Sequence, residues 1–263
     1  MQLKLSGKVA LVTAASKGLG LASALGLARE GCDLAICSRD EAAIAQVAEQ
    51  IRQETGRRVL ALAADVSRAE DVDRVLKATL ETYGGVDILI SNTGGPPTGL
   101  FMDMDDAAWQ KAFDNLVMSA VRLSRGVIPA MRARGGGRIL YITSGAVKQP
   151  VSGLVLSNSL RAAVTGMMKT LSSQVARDKI TVNCVAPGRI DTERVRWLDA
   201  DTATRTGREA SAVKAGWEAQ IPTGRYGTSE EFGNAIVFLA SEAASYITGV
   251  TLGVDGGLIN TLV

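Results

Sequence analysis

The chain has 263 residues, 46% of them apolar and 28 of them glycine, which suits a buried parallel sheet with tight turns at its strand ends. Its 29 basic and 27 acidic side chains leave a net charge of +2 with the charges interspersed, so no nucleic-acid or membrane partner is expected and small-molecule chemistry is favoured. Histidine is absent, which excludes imidazole acid/base chemistry, His-based triads and His-ligated metals, and no metal site is expected.

The first apolar run is too short to span a membrane and carries no signal-peptide cleavage pattern, so a cytoplasmic protein is expected. It leads into VALVTAAS, a buried strand; GLGLASALGLAREG follows as a helix ending at Gly31, then CDLAICSR as the next strand. A helix near 40–54, the strand RVLALAADV, a helix near 69–83 and the strand VDILISN, ending at Asn92, continue the alternation. Beyond the loop TGGPPTG come a long helix from about Asp105 to Met131, the strand GRILYITS, a helix near 153–176 and the strand ITVNCVAPG. The helix SEEFGNAIVFLASE and a last strand near TLGVDGG close the chain. Alternating strands and helices without a Pro/Gly/Ser-rich linker predict one doubly wound α/β domain over 1–263. Segment 189–221, less regular and polar, is the longest interval without strong patterning and is the candidate substrate lid, with Arg194, Arg196, Trp197 and Trp217 as candidate contacts. Cys32, Cys37 and Cys184 show no CxxC spacing; two fall in one predicted strand and the third in another, where small apolar side chains pack.

The loop TAASKGLG joins a predicted strand to a predicted helix. In that context glycines let a pyrophosphate approach the backbone and rest on the helix N-terminus. Gly18 and Gly20 supply the permissiveness, and Ala14 stands where a first glycine is commoner. Taken alone the pattern is weak. Taken in order with AADV (63–66), SNTGG (91–95), Asn115, ITSG with Ser144, VAPG (185–188) and VDGG (254–257), it resembles the short-chain dehydrogenase/reductase superfamily over residues 6–258.

The resemblance implies a Rossmann-like seven-stranded parallel sheet, a nicotinamide dinucleotide across its C-terminal edge, and dimers or tetramers formed through two long central helices. By position it implies that Thr13, Ser16, Lys17, Gly18, Leu19 and Gly20 form the glycine loop against the pyrophosphate. Asp65 and Val66 would lie beside the adenine, Asn92 and Gly94 beside the adenosine and ribose, and Pro187, Gly188, Ile190 and Thr192 around the nicotinamide. The second strand ends in Ser38 and Arg39 where an acid is usual for NAD, and Lys17 adds a second cation, so NADP is preferred over NAD.

The family's catalytic set comprises an asparagine, a serine and a Tyr-x-x-x-Lys pair, in which the lysine lowers the phenol's pKa across one helical turn. Asn115 and Ser144 fall on the first two positions, but LSNSLRAAVTG places Ser157 at the tyrosine and Arg161 at the lysine. A serine hydroxyl is far less acidic than a phenol, and a guanidinium cannot relay a proton, although it can bind a nicotinamide ribose or a substrate carboxylate. Tyr141 lies three residues before Ser144 and so on the opposite strand face, which assigns it to the core. Lys148, four residues past Ser144 in the loop GAVKQP, is a candidate acid or anion holder, and the prolines of TGGPPTG are a candidate rigid pocket wall.

Three functions compete on this reading. The first is an NADP-dependent oxidoreductase of carbonyl or alcohol substrates, similar to the 3-oxoacyl-carrier-protein reductase branch, with the cofactor carrying the hydride chemistry. The second is an inactive cofactor-binding sensor or partner subunit. The third is redox-free chemistry in the same pocket, as in the halohydrin dehalogenases, which keep the tyrosine and lose the glycine loop whereas this chain does the reverse.

Overall fold

A computed structural model describes residues 2–262. Strands β1 (Val9–Thr13), β2 (Asp33–Ser38), β3 (Val59–Ala63), β4 (Ile88–Ser91), β5 (Gly137–Ile142), β6 (Ile180–Pro187) and β7 (Thr251–Val254) form one sheet in the order β3-β2-β1-β4-β5-β6-β7. Every adjacent pair is parallel. The central strands are apolar on both faces because both faces are covered; VALVT of β1 is buried at every position. Helices α1 (Gly18–Arg29), α2 (Glu41–Thr55) and α9 (Ser229–Ala240) pack one face through Leu27, Ile44, Ile51 and Ile236. Helices α3 (Ala69–Tyr83), α4 (Asp106–Phe113), α5 (Ser119–Ala133) and α6 (Val155–Val175) cover the other through Val72, Ala112, Leu123 and Val164. This is the doubly wound Rossmann-like domain with seven parallel strands.

Three expectations are corrected. The single helix from Asp105 to Met131 is divided by a π-helical turn over Asp114–Met118 that separates α4 from α5. Composition does not register such a turn, because its residues, Asp114–Met118, are compatible with an ordinary α-helix. The irregular stretch 189–221 contains two helices, α7 (Glu193–Thr206) and α8 (Ala210–Glu218). Helix α7 buries only Asp199 and Ala203 and is held by charged contacts, so it lacks the apolar stripe that sequence patterning detects. Strand β3 also stops short of the expected Val66, because the Asp65 carboxylate accepts from the Ser67 N–H (3.0 Å) and hydroxyl (2.7 Å) and turns the chain.

The three cysteines are buried, and burial pushes each thiol up to about 12, so they are inert packing groups. Among the described residues no helix is long and apolar enough to cross a membrane.

Candidate active site

Strand order reverses between β1 and β4, so the loops leaving their C-terminal ends diverge and open a crevice. The two strand ends are tied together. The Thr13 hydroxyl donates to the Asn92 carbonyl (2.7 Å) and accepts from the Asn92 N–H (2.9 Å), while the Asn92 side-chain amide donates to the Ala14 carbonyl (3.2 Å). Thr13 is 0% exposed, so the structure makes it the tie between strands. The loop then reverses through Ala14 at φ +47° and Gly18 at φ +57°. The left-handed conformation at Ala14 is the physical reason a glycine is commoner there. Gly20 is required for a different reason: a Cβ at that position would overlap the Ala14 carbonyl and lie 2.8 Å from the Asn92 amide nitrogen.

Helix α1 starts against this loop with no side-chain cap and no acid in its first turn. Helices α2, α4, α7 and α9, by contrast, are capped by Asp40, Asp105, Thr192 and Thr228. The free N–H groups and positive helix end of α1, beside glycines that keep side chains away, fit a dinucleotide pyrophosphate. Ser16 is half-buried in the loop and Leu19 packs partly into the core.

At the end of β2, the Ser38 hydroxyl donates to the Asp40 carbonyl (2.9 Å) and the Asp40 carboxylate is used to cap α2, accepting from the Ala43 N–H (2.9 Å). The Asp40 carboxylate is thereby turned away from a ribose diol, whereas Arg39 is exposed and has no side-chain partner among the described residues. Lys17 pairs with Glu193 of α7 (2.6 Å), both side chains about two-thirds exposed at 69% and 66%, a weak contact that a phosphate displaces readily. Asp65 and Val66 sit at the turn after β3, where the Asp65 N–H donates to Asp71 (2.8 Å) and Val66 is buried.

Ser144 follows β5 and accepts through its hydroxyl from the Ala146 N–H (3.2 Å), which fixes the side chain at the head of a 3-10 turn over Gly145–Val147. Helix α6 begins at this end of the sheet and runs back down it. Arg161, on α6, donates to the Ile142 carbonyl (2.8 Å), two residues before Ser144. Ser157 lies one helical turn nearer the start of α6 than Arg161, on the same helix face. The Ser157 hydroxyl makes no hydrogen bond among the described residues although the residue is only 8% exposed. Ser91, Thr93, Thr143 and Arg161 border a cavity of about 10 Å³, which is room for one water.

Asn115 lies within the π-helical turn and donates its amide to the Gly94 carbonyl (3.0 Å). The turn thus aims this side chain at the loop after β4, in keeping with the frequency of π turns at functional sites. Lys148 is half-buried and has no side-chain partner among the described residues. Tyr141 is core, 1% exposed, its hydroxyl bonded to that of Ser124 (2.5 Å), and burial raises its pKa far out of the acid/base range.

On the far side of the crevice, β6 ends at Pro187, and a Cβ at Gly188 would lie 2.7 Å from Asp255 Cα, so only glycine fits against the strand end of β7. Ile190 is a core residue at 3% exposure, and Thr192 caps α7 through the Val195 N–H (3.3 Å). A Cβ at Gly18 would lie 3.7 Å from Thr192 Cγ2, so the start of α7 sits directly over the glycine loop.

Patterning missed the contacts that hold α7 and α8. Arg189 bonds Asp199 (3.0 Å), the Tyr226 hydroxyl donates to the same carboxylate (2.9 Å), and the Arg189 guanidinium lies 3.8 Å from the Trp217 ring centre. Trp217 is therefore a packing partner of Arg189, and Arg196 is an exposed ion pair with Asp191 (2.9 Å). Arg194 reaches the loop after β4, donating to the Pro96 carbonyl (2.8 Å) while stacked 4.5 Å from the ring centre of Trp197.

A family model described as Enoyl-(Acyl carrier protein) reductase matches residues 13–259. The chain is 36% identical to rabbit (Oryctolagus cuniculus) dehydrogenase/reductase SDR family member 4 over 96% of its length and 94% of that protein's. It is also 36% identical to a 3-oxoacyl-[acyl-carrier-protein] reductase of Vibrio cholerae, over 97% and 99%. The crystal structure of L-sorbose reductase from Gluconobacter frateurii complexed with NADPH and L-sorbose superposes with a TM-score of 0.95 at 37% identity, covering 100% of each chain. With this sheet order, this crevice and these relatives, the chain belongs to the short-chain dehydrogenase/reductase superfamily.

Proposed function

We propose that the protein is an NADP-dependent oxidoreductase that interconverts a carbonyl and an alcohol with an atypical catalytic set. The observation that carries this reading is the uncapped α1 N-terminus beside Gly18 and Gly20, opening onto the crevice that also receives Ser144. NADP, when bound, supplies or accepts the hydride. Arg39 and Lys17 flank the place for a 2′-phosphate, and the Asp40 carboxylate at that strand end is engaged as a helix cap. Ser144 donates its hydroxyl proton in a hydrogen bond to the carbonyl oxygen, and Ser157, whose hydroxyl is unengaged, adds a second donor as negative charge develops. Arg161 holds a fixed positive charge one turn below. Neither serine is a strong acid, so the proton that completes the alcohol comes from water through these hydroxyls, and the chemical step is slow relative to enzymes with a phenol.

Oxidation of NADPH is followed with a panel of ketones, aldehydes and oxo acids for the wild type and Ser144→Ala. Turnover that falls about 100-fold or more in the variant, with NADPH affinity unchanged, supports the reading. One observation favours a second reading, a cofactor-binding subunit without turnover: the only side chains at the proton-transfer positions are a serine and an arginine. Tight NADPH binding with no turnover on the panel selects it. Association into dimers or tetramers is part of the proposal and is read by sedimentation.

A further inference from the structure

The distribution of charge partners singles out one place in the molecule. Six arginines are half-buried: Arg57, Arg122, Arg138, Arg161, Arg189 and Arg194. Four of them have a carboxylate within 4.0 Å, namely Asp33, Asp114, Glu242 and Asp199 respectively. Arg161 and Arg194 have none among the described residues; each bonds a single backbone carbonyl, Ile142 and Pro96. The one half-buried lysine, Lys148, is unpaired as well. All three lie at the C-terminal edge of the sheet. Arg161 borders Thr93 across the small cavity, and Arg194 crosses Gly95 and Pro96, so the two guanidiniums flank the same four-residue stretch of the loop after β4.

The acids nearby are already engaged. Asp201 pairs with Arg205 (3.1 Å) and accepts from Thr98 (3.3 Å), attracting Arg194 only from beyond ion-pair distance; Asp103 accepts from the Leu100 N–H (2.8 Å), and Asp255 accepts from the N–H groups of Gly257 (3.0 Å) and Ile259 (3.1 Å). A cation removed from water without a partner is costly, and proteins keep few of them without a use. On the reading above the pyrophosphate lies at the α1 N-terminus and the 2′-phosphate at Arg39, so neither anion of the cofactor neutralises this pair of arginines; the nicotinamide ribose, which Arg161 can also bind, is uncharged and leaves both cations without a counter-ion.

We propose that Arg161 and Arg194 receive an anionic group of the substrate, so that the enzyme acts on an oxo acid or hydroxy acid whose carboxylate docks between α6 and α7, beside the loop after β4. This rests on the oxidoreductase reading above and names its substrate class. Burial, reinforced by the Arg194 cation, pushes the Arg161 guanidinium down to about 10, which leaves it charged at neutral pH. The carboxylate is held by charge-assisted hydrogen bonds, and guanidinium geometry suits two-point binding of a carboxylate. The carbonyl is then directed toward Ser144 and Ser157.

The test uses the NADPH-loaded protein and three matched pairs of probes: pyruvate, acetoacetate and levulinate, each against its methyl ester. Binding is read by calorimetry and turnover by NADPH oxidation. At least one acid is expected to bind and turn over tenfold or more better than its ester, and Arg194→Met and Arg161→Met are each expected to weaken acid binding 10- to 100-fold. Arg161→Lys, which keeps the charge, retains part of the preference and separates it from loss of fold. An acid that binds through Arg194 without turnover supports the anion site while refuting the redox reading. Turnover of acid and ester with equal kcat/KM refutes the anion site while leaving the redox reading standing. Failure of every acid to bind, or loss of NADPH affinity in both Met variants with the acid preference intact, also overturns the proposal.

Discussion

The two edges of the sheet are built on opposite principles. At the N-terminal edge the buried acids are saturated. Asp33, the first residue of β2, takes Arg57 (2.6 Å) and Arg58 (2.6 Å). Asp87, just before β4, takes Arg134 through two bonds of 2.9 Å, Lys8 at 3.7 Å and the Val9 N–H at 2.8 Å. At the C-terminal edge the reverse holds among the described residues: an uncapped helix end, an unengaged Ser157 hydroxyl, and the cations of Arg161, Arg194 and Lys148 without an ion pair within 4.0 Å, although Asp201 attracts Arg194 from further away. The contrast teaches where to look for function in an open parallel sheet. Paired acids stabilise the fold at the N-terminal edge, where among the described residues only Arg57 Nε and Thr181 Oγ1 are buried without a partner, whereas cations that lack an ion pair at the C-terminal edge are held for a ligand.

Substitutions that cross the two edges sharpen or break this division. The largest effect on stability is expected from Asp87→Ala, which strands a partly buried Arg134 and removes the acceptor of the Val9 N–H. It costs about 3 kcal/mol in urea unfolding while leaving NADPH affinity in the surviving fold unchanged. A comparable loss of cofactor affinity would dissolve the distinction. Ser144→Ala inverts the pattern, removing about 3 kcal/mol of transition-state stabilisation with an unfolding midpoint within experimental error of wild type.

A smaller, pH-dependent effect separates the edges further. Burial alone raises the Asp33 carboxyl, but the hydrogen bonds from Arg58 and the charge and hydrogen bond of Arg57 outweigh it and hold the group below its ordinary 3.8. Its folded pKa is depressed, so its contribution is fully present above the unfolded value and is lost as pH falls through the folded one. Thermal stability of the wild type is expected to decline in acid below about pH 4, and Asp33→Asn to flatten that part of the profile. An unchanged profile would show that the Asp33 cluster contributes nothing. The smallest effect is expected at Ala14→Gly, where relief of a left-handed alanine gains at most about 1 kcal/mol, partly offset by glycine's larger entropy when unfolded.

Much of this was legible in the sequence because strand periodicity and glycine placement are local. The strand and helix alternation and the crevice loops follow from spacing along the chain, whereas Ser144, Ser157 and Arg161 were singled out by the family resemblance and remain proposals as catalytic residues. Helices α7 and α8 did not, since α7 is held by ion pairs and Arg–Trp stacking, which leave no periodic apolar signal. The turn at Asp114–Met118 was hidden because a π-helical residue keeps helical composition. The resemblance places Thr13 and Ile190 beside the cofactor; what it does not show is that the Thr13 hydroxyl ties β1 to β4 and that Ile190 packs in the core, which tertiary contacts decide. The unpaired state of Arg161 and Arg194 was likewise invisible, because it depends on which acids the fold brings near.

The most direct test of the central claim is titration of the purified protein with NADPH and NADH, following energy transfer from tryptophan to the nicotinamide, with Arg39→Ala in parallel. Micromolar NADPH binding, at least tenfold weaker NADH binding and collapse of that difference in Arg39→Ala are the predicted result. Failure of either nucleotide to bind would contradict the assignment of the C-terminal edge as a dinucleotide-dependent active site.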